Sequence, residues 1–199
     1  MNYTSNGSNT HNGHEYVDLG LPSGTLWATC NVGATSPEQA GLYFAFGETT
    51  GFTAEQVENE IRKFDSASYT APSISGNLTL EQDAAHFYMG GQWRMPTKDE
   101  YQELIDNCNV VWTDNYNGTG VAGRVFASKV NGNSVFFPAA GRCGGSSVGG
   151  VGWYGYFWSV SWGSPSNAWR MHFDSRGQGV YYYYGRFCGL SVRGVCKRG

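Results

Sequence analysis

Apolar and polar positions change their period several times along the chain, and each change predicts an element. Residues 1–13 are small and polar almost throughout, which predicts a flexible polar N-terminal arm. From residue 14 onward, Tyr16 to Leu19 and Thr25 to Thr29 read as two short strands joined by a turn at Pro22, Ser23 and Gly24. Ser36 followed by Pro37 has the form of an N-cap with proline in the first helical position, so a short helix is expected there. Gly41 and Gly47 then frame a strand-like run over 42–46. Across 53–64, Val57, Ile61 and Phe64 recur at helical spacing in a polar and charged stretch, which predicts a surface helix in an insertion, with loop over 66–77.

The firmest helix signal is Thr97-Lys-Asp-Glu100, a capping box in which Thr97 and Glu100 can satisfy each other's backbone amides. Tyr101, Leu104, Ile105 and Cys108 then fall on one helical face. Beyond it the pattern turns to β. Runs over 125–130 and 134–137 flank Asn131-Gly132, a hairpin signal. Short strands over 156–158, 169–173 and 190–196 follow between Gly- and Ser-rich turns. Early helices and many late short strands predict an α+β domain over 14–199, with antiparallel sheets, two or three helices and long irregular loops.

Composition divides that domain. Glycine supplies 29 of 199 residues, close to double the usual ~7%, without any Gly-X-Y period, and aromatics reach 16%. The formal net charge of −3 conceals an asymmetry: residues 1–140 carry 6 Lys and Arg against 15 acids, whereas residues 141–199 carry 7 Lys and Arg and a single acid, Asp174. That last segment also holds 14 of the glycines and 13 of the 31 aromatics. Its arginines (Arg142, Arg170, Arg176, Arg186, Arg193) lie among tyrosines, as stacking platforms for nucleic acid would, but they form no basic run and no nucleic-acid-binding motif accompanies them. Nucleic acid is therefore not the expected partner. No apolar run approaches the ~18 residues of a membrane span, so no membrane insertion is expected. A basic-then-apolar leader is also missing, which predicts a chain made in the cytoplasm without a signal peptide.

Catalytic chemistry leaves no trace. G-x-S-x-G, a Walker loop, H-E-x-x-H and an EF-hand loop are all missing, and His11, His14, His86 and His172 are widely separated, with His86 read as structural. Five irregularly spaced cysteines (Cys30, Cys108, Cys143, Cys188, Cys196) cannot all pair and contain no C-x-x-C. They read as small buried hydrophobes, with Cys143 and Cys188 equally compatible with surface positions. Neither metal nor cofactor is expected.

Three blocks in order carry a resemblance. The first is Val17-Asp-Leu-Gly-Leu-Pro-Ser-Gly-Thr-Leu-Trp-Ala-Thr29 with Cys30-Asn-Val-Gly33 and Gly41-Leu-Tyr-Phe-Ala-Phe-Gly-Glu48. The second is Trp93-Arg-Met-Pro-Thr97 with Glu100 and Leu104. The third is Phe157-Trp-Ser159, Ala168-Trp169, Phe173 and Gly189-Leu-Ser-Val-Arg193. Together they resemble the Bacteroidetes paralogous surface domain, in the formylglycine-generating-enzyme-like branch of the C-type lectin fold. The enzymes of that branch use a cysteine pair preceded by an Arg-Gly-Gly-Ser-type segment that is missing here, and the Glu-Pro-Asn, Gln-Pro-Asp and Trp-Asn-Asp tripeptides of calcium-dependent lectins are missing too. The branch that the chain resembles best is that of the variable proteins of diversity-generating retroelements, such as phage tropism determinants and bacterial surface display proteins. In that family the last part of the fold is rewritten at adenine positions of a template repeat.

That resemblance implies a non-enzymatic binding protein whose segment 141–199 is a variable ligand-binding region. The expected contact residues are Trp153, Tyr154, Tyr156, Trp162, Arg170, His172, Asp174, Tyr181, Tyr182, Tyr183 and Tyr184. Independently of any family, Tyr and Trp give rigid amphipathic contact area while Gly and Ser adapt, as in antibody loops. By period two over 168–174, Trp169, Met171 and Phe173 share a core face and Arg170, His172 and Asp174 the exposed one. Trp158 and Arg186 read as framework. The expected partner is a macromolecule (protein, glycan or cell-surface polymer), met at a phage tail-fibre tip or a bacterial cell surface, with a homo-oligomer compatible with such display. The alternatives are a non-diversified adhesive module of the same fold and a formylglycine-generating-type oxidase.

Overall fold

The polar start of the chain takes part in the fold. In the computed structural model, which describes residues 9–71 and 73–197, β1 (Asn9–His11) pairs antiparallel with β2 (His14–Asp18). The flexible arm expected over 1–13 is thus corrected for 9–13, and its residues 1–8 lie outside the described residues. The buried Trp93 accounts for the difference: its indole Nε1 donates to the His11 carbonyl at 2.9 Å, and its ring lies against His11 and His14.

Next to β2 runs β3 (Thr25–Asn31), and on its other side lies β14 (Arg193–Lys197), giving a sheet of order β1-β2-β3-β14. A second sheet combines β4 (Tyr43–Phe44), β10 (Gly155–Trp162), β11 (Ala168–Phe173), β12 (Gln178–Tyr181) and β13 (Leu190–Ser191) in the order β12-β11-β10-β13-β4. Its pairings are antiparallel except β10 with β13. A third, antiparallel sheet holds β5 (Cys108–Thr113), β6 (Gly123–Ser128) and β7 (Ser134–Pro138), and a small hairpin holds β8 (Arg142–Gly144) and β9 (Ser147–Gly149). With three α-helices among the described residues, the class is α+β, mostly antiparallel, as expected.

Strand alternation sorts residues into separate cores. Leu26 and Trp158 enter one cluster with Phe44, Phe46, Trp93 and Leu190, while their neighbours Trp27 and Phe157 enter another with Tyr101, Leu104, Phe137, Met171 and Phe173. Where elements crowd, only glycine fits. A Cβ on Gly155 would lie 2.1 Å from the Phe173 ring, and Gly141, at φ +66°, would meet the Gly149 carbonyl at 2.2 Å. These two glycines let β8, β9 and β10 come together beneath the loop that carries Trp153.

Helix α3 (Lys98–Asn107) forms where the capping box places it: the Glu100 amide donates to Thr97 Oγ1 at 3.1 Å and the Thr97 amide to Glu100 Oε2 at 2.9 Å. Glu100 also receives both Nη atoms of Arg94, at 2.8 and 2.6 Å, and the Thr25 hydroxyl at 3.0 Å, so the cap residue bolts the helix to β3. The Asn131-Gly132 hairpin also forms, but its loop is wider than a two-residue turn because Asn131 and Asn133 reach across to donate to the Asp18 carbonyl.

Two further expectations are corrected, and one helix is added. The helix expected over 53–64 is only α1 (Ala54–Glu58): Glu60 adopts φ +57°, so Val57 and Phe64 are buried but Ile61 is 65% exposed. Ser36 and Pro37 open a turn, closed by the Gln39 amide on the Ser36 carbonyl and by the Gln39 side chain on Thr35. Helix α2 (Ala84–Met89) is additional. It is capped by Asp83, whose second oxygen accepts from the Met95 amide at 2.8 Å.

Burial alone would raise the Glu100 carboxyl, but the Arg94, Thr97 and Thr25 hydrogen bonds outweigh it and hold the pKa at about 2. A depressed carboxylate pKa adds stability above the unfolded value, near 4.3, that is lost as pH falls toward the folded one. Glu100→Gln is therefore expected to cost roughly 2–3 kcal/mol at pH 7 and to shrink the fall in Tm between pH 5 and pH 2.5. Thermal melts of both proteins across that range check it.

Candidate functional site

On β10, β11 and β12 the residues facing one side are Tyr156 and Trp158, Arg170 and His172, and Tyr181, because each directly paired set shares a face. Trp158 points fully into the core and its Nε1 donates to the Phe44 carbonyl at 2.8 Å. Toward the open end, the same face becomes a layer of rings around one guanidinium. Arg170 lies 4.4 Å from the Tyr184 ring centroid, 5.4 Å from that of Tyr156 and 5.5 Å from that of Tyr181. His172 lies 4.5 Å from Tyr156 and is stacked on Tyr154 at 5.8 Å.

The tyrosine run illustrates how the face is built. Only Tyr181 belongs to β12; beyond it the backbone leaves the strand. Tyr182 turns to Trp169 at 5.3 Å, Tyr183 projects outward at 75% exposure, and Tyr184 folds back onto Trp158 and Arg170. Four consecutive tyrosines thus point in different directions, which strand alternation alone does not allow.

A second displayed element is the turn after β9. Trp153 is 72% exposed beside exposed Val151 and half-exposed Tyr154. Trp153 and Val151 line a groove of about 470 Å³ with Trp112, Asp114 and Ser175. Sequence reasoning overlooked Val151, and it noted Arg142 among the tyrosines without counting it as a contact residue; Arg142 is exposed on β8 with its guanidinium 5.7 Å from the Tyr184 ring. The signal for both was their place in the Gly-rich segment beside expected contact residues.

The structure brings together Tyr154, Tyr156, Arg170, His172, Tyr181 and Tyr184, with Trp153, Tyr182 and Tyr183 exposed alongside. Two expected contact residues serve the framework instead. Trp162 is half-buried against the core and its Nε1 donates to the Ile74 carbonyl at 3.0 Å. The Asp174 carboxylate accepts from the Arg176 side chain and from the Arg176 and Gly177 amides, closing the β11–β12 turn, and those bonds hold its pKa down to about 2. Its carbonyl accepts from Arg124 at 3.0 and 2.8 Å. On the opposite face of β11, Met171 and Phe173 are buried as period two requires, but Trp169 sits at the rim under the Lys98 ammonium at 5.1 Å.

Other framework readings hold. Arg186 is buried and donates to Tyr69 Oη and to the Ile74 and Pro165 carbonyls. His86 Nδ1 lies 3.0 Å from the Trp93 carbonyl. All five cysteines are free and all but Cys30 are buried. Burial pushes the Cys143 thiol up to about 12 and that of Cys196 up to about 11, with Cys188 raised as well, the opposite of what activates a nucleophilic cysteine. Among the described residues, no three His, Cys, Asp or Glu side chains converge as metal ligands would, and no helix is long and apolar enough to cross a membrane.

No protein-family model matches the chain, and no curated protein or solved structure matches it either.

Burial, and then the positive charge of Arg170, lower the His172 pKa. The fold favours the neutral ring, so this residue's contribution weakens as pH drops below the unfolded value of about 6.5 and levels off below the folded one. In an NMR titration His172 is expected to protonate below the ordinary histidine range, and Arg170→Gln is expected to move its midpoint upward. A midpoint at or above 6.5 in the unsubstituted protein contradicts this electrostatic picture.

Proposed function

We propose that the chain is a non-enzymatic ligand-binding protein of the C-type lectin fold, in the formylglycine-generating-enzyme-like branch, whose C-terminal surface is diversified by a retroelement. The observation that carries this reading is the division of segment 141–199 into two populations. Trp153, Tyr154, Tyr181, Tyr182 and Tyr183 are exposed large aromatics, whereas Trp158, Arg186 and Arg193 from the same segment are buried. Of the resembling motifs in this segment, Phe157, Trp158, Ser159, Ala168, Phe173 and Leu190 to Arg193 are buried and only Trp169 lies at the rim, while the exposed aromatics all lie outside those motifs. Exposed Trp and Tyr with nearby Arg make up the composition of protein-binding hot spots.

The raised thiols of Cys188 and Cys196 support a binding role over the oxidase alternative. The setting that suits such a surface is a phage tail-fibre tip or a bacterial cell-surface adhesin, displayed in several copies, with a macromolecular ligand. One observation favours the second reading, a fixed adhesive module: Tyr156, Arg170, His172 and Tyr184 are interlocked by ring contacts, as a permanent packing layer would be.

Two measurements on purified protein separate these readings. Randomising residues 153, 154, 181, 182 and 183 together is expected to leave most variants folded by protease resistance, since surface changes are usually within about 0.5 kcal/mol. Trp158→Ala alone is expected to cost roughly 3–5 kcal/mol. Peptides selected from a random phage-displayed library on the unsubstituted protein are expected to lose at least tenfold in affinity for the Trp153→Ala/Tyr182→Ala variant. Collapse of the randomised variants favours the fixed module, and peptides indifferent to the double substitution place the binding surface elsewhere.

A further inference from the structure

Among the described residues, four arginines hold buried or half-buried guanidiniums in the C-terminal half of the chain, and three of them leave no buried nitrogen without a hydrogen-bond partner. Arg193 gives five hydrogen bonds and Arg186 three, while Arg124 places two on the Asp174 carbonyl. Arg170 is the exception. Its Nε and Nη1 are buried without any hydrogen-bond partner, and among the described residues no carboxylate pairs with it. Three tyrosine rings supply cation–π contact, which replaces part of the lost hydration but satisfies no N–H.

The surroundings deepen the imbalance. Arg142 approaches the Tyr184 ring from β8, so two guanidiniums flank a single tyrosine. The nearest acid in sequence, Asp174, is already held by Arg176 at 2.7 Å. His172 Nε2 is likewise buried and unpartnered on the same face. Burial and the neighbouring Arg142 both disfavour the charge on Arg170, as expected for a cation without its counter-ion.

We propose that Arg170, assisted by Arg142, is the anion-receiving centre of the aromatic face, and that its partner is a protein presenting an Asp or Glu carboxylate set among apolar groups. This rests on the reading of that face as the ligand surface. A planar carboxylate matches the guanidinium fork, and the rings of Tyr156, Tyr181 and Tyr184 around it supply apolar contact for the body behind the acid. A protein is favoured over a polyanion because residues 1–140 carry 15 acids against 6 basic residues. That framework repels a long chain of phosphates, whereas an isolated carboxylate feels charges beyond about 8 Å only weakly.

The test uses the random phage-displayed peptide library on the whole protein, followed by sequencing of the selected peptides. Enrichment of Asp or Glu at one position is expected, with at least tenfold weaker binding of those peptides to Arg170→Gln. Arg142→Glu, an exposed change that does not threaten folding, is expected to abolish the acidic preference. Peptides that depend on Trp153 and Tyr182 but carry no acidic position, or bind Arg170→Gln and Arg142→Glu unchanged, overturn the anion-receiving role while leaving the surface in place. Peptides indifferent to Trp153 and Tyr182 overturn the surface itself. Binding to uronic-acid glycans on an array, with no acidic peptide recovered, overturns the assignment of the carboxylate to a protein.

Discussion

Arg193 lies wholly inside the protein with no carboxylate paired to it among the described residues, and its guanidinium joins three segments that are distant in sequence. Nε and Nη2 donate to Asn31 Oδ1, Nη1 to the Ala28 and Thr29 carbonyls, and Nη2 also to the Phe136 carbonyl, with the Phe137 ring 4.3 Å away. Burial pushes its pKa down to about 10, which leaves it charged at neutral pH. A desolvated cation is tolerable only when its donors are used. Satisfying this one fixes β14 against β3 and both against β7. The second sheet is anchored to the same frame through Val192, whose carbonyl accepts from the Val32 amide.

That frame supports the aromatic face from behind, in addition to the ring contacts within the face itself. Trp158 and Arg186 secure the segments on either side of β11, and the β11–β12 turn is closed by Asp174. What projects from these anchors is held at its base and exposed at its tip, as with Trp153 and Tyr183. A surface of this kind pays its ordering entropy during folding, so little is left to lose on binding. The two arginines thus contrast: the fully buried Arg193 closes the fold with every donor engaged, whereas the half-buried Arg170 keeps Nε and Nη1 without a hydrogen-bond partner among the described residues.

Much of this was legible in the sequence where local chemistry decides the outcome. The Thr97–Glu100 cap, the strand at 168–173 and the α+β class follow from side-chain period and hydrogen-bonding types alone. Legibility stopped where a distant residue intervened. The polar run at 9–13 pairs as a strand because Trp93 reaches it, and Trp162 and Asp174 serve the framework because Ile74 and Arg176 supply partners that no spacing reveals. Ile61 is exposed because Glu60 takes a left-handed conformation that helical periodicity does not announce. The site itself was half visible. Its aromatics were evident from composition, but the uncompensated pair of Arg170 and Arg142 required three-dimensional neighbours.

The central claim is that one end of a fixed fold is rewritten while its anchors are preserved. Sequencing the DNA adjacent to this gene, and searching it for a near-copy of the codons for residues 141–199, tests that most directly. The account predicts such a copy, with differences confined to its adenines. Those differences fall on displayed positions such as Tyr154, Arg170, His172, Tyr181, Tyr182 and Tyr183, with identity at Trp158, Arg186 and Arg193. A locus with no such copy and no reverse transcriptase, or a copy whose differences strike the buried anchors, contradicts it.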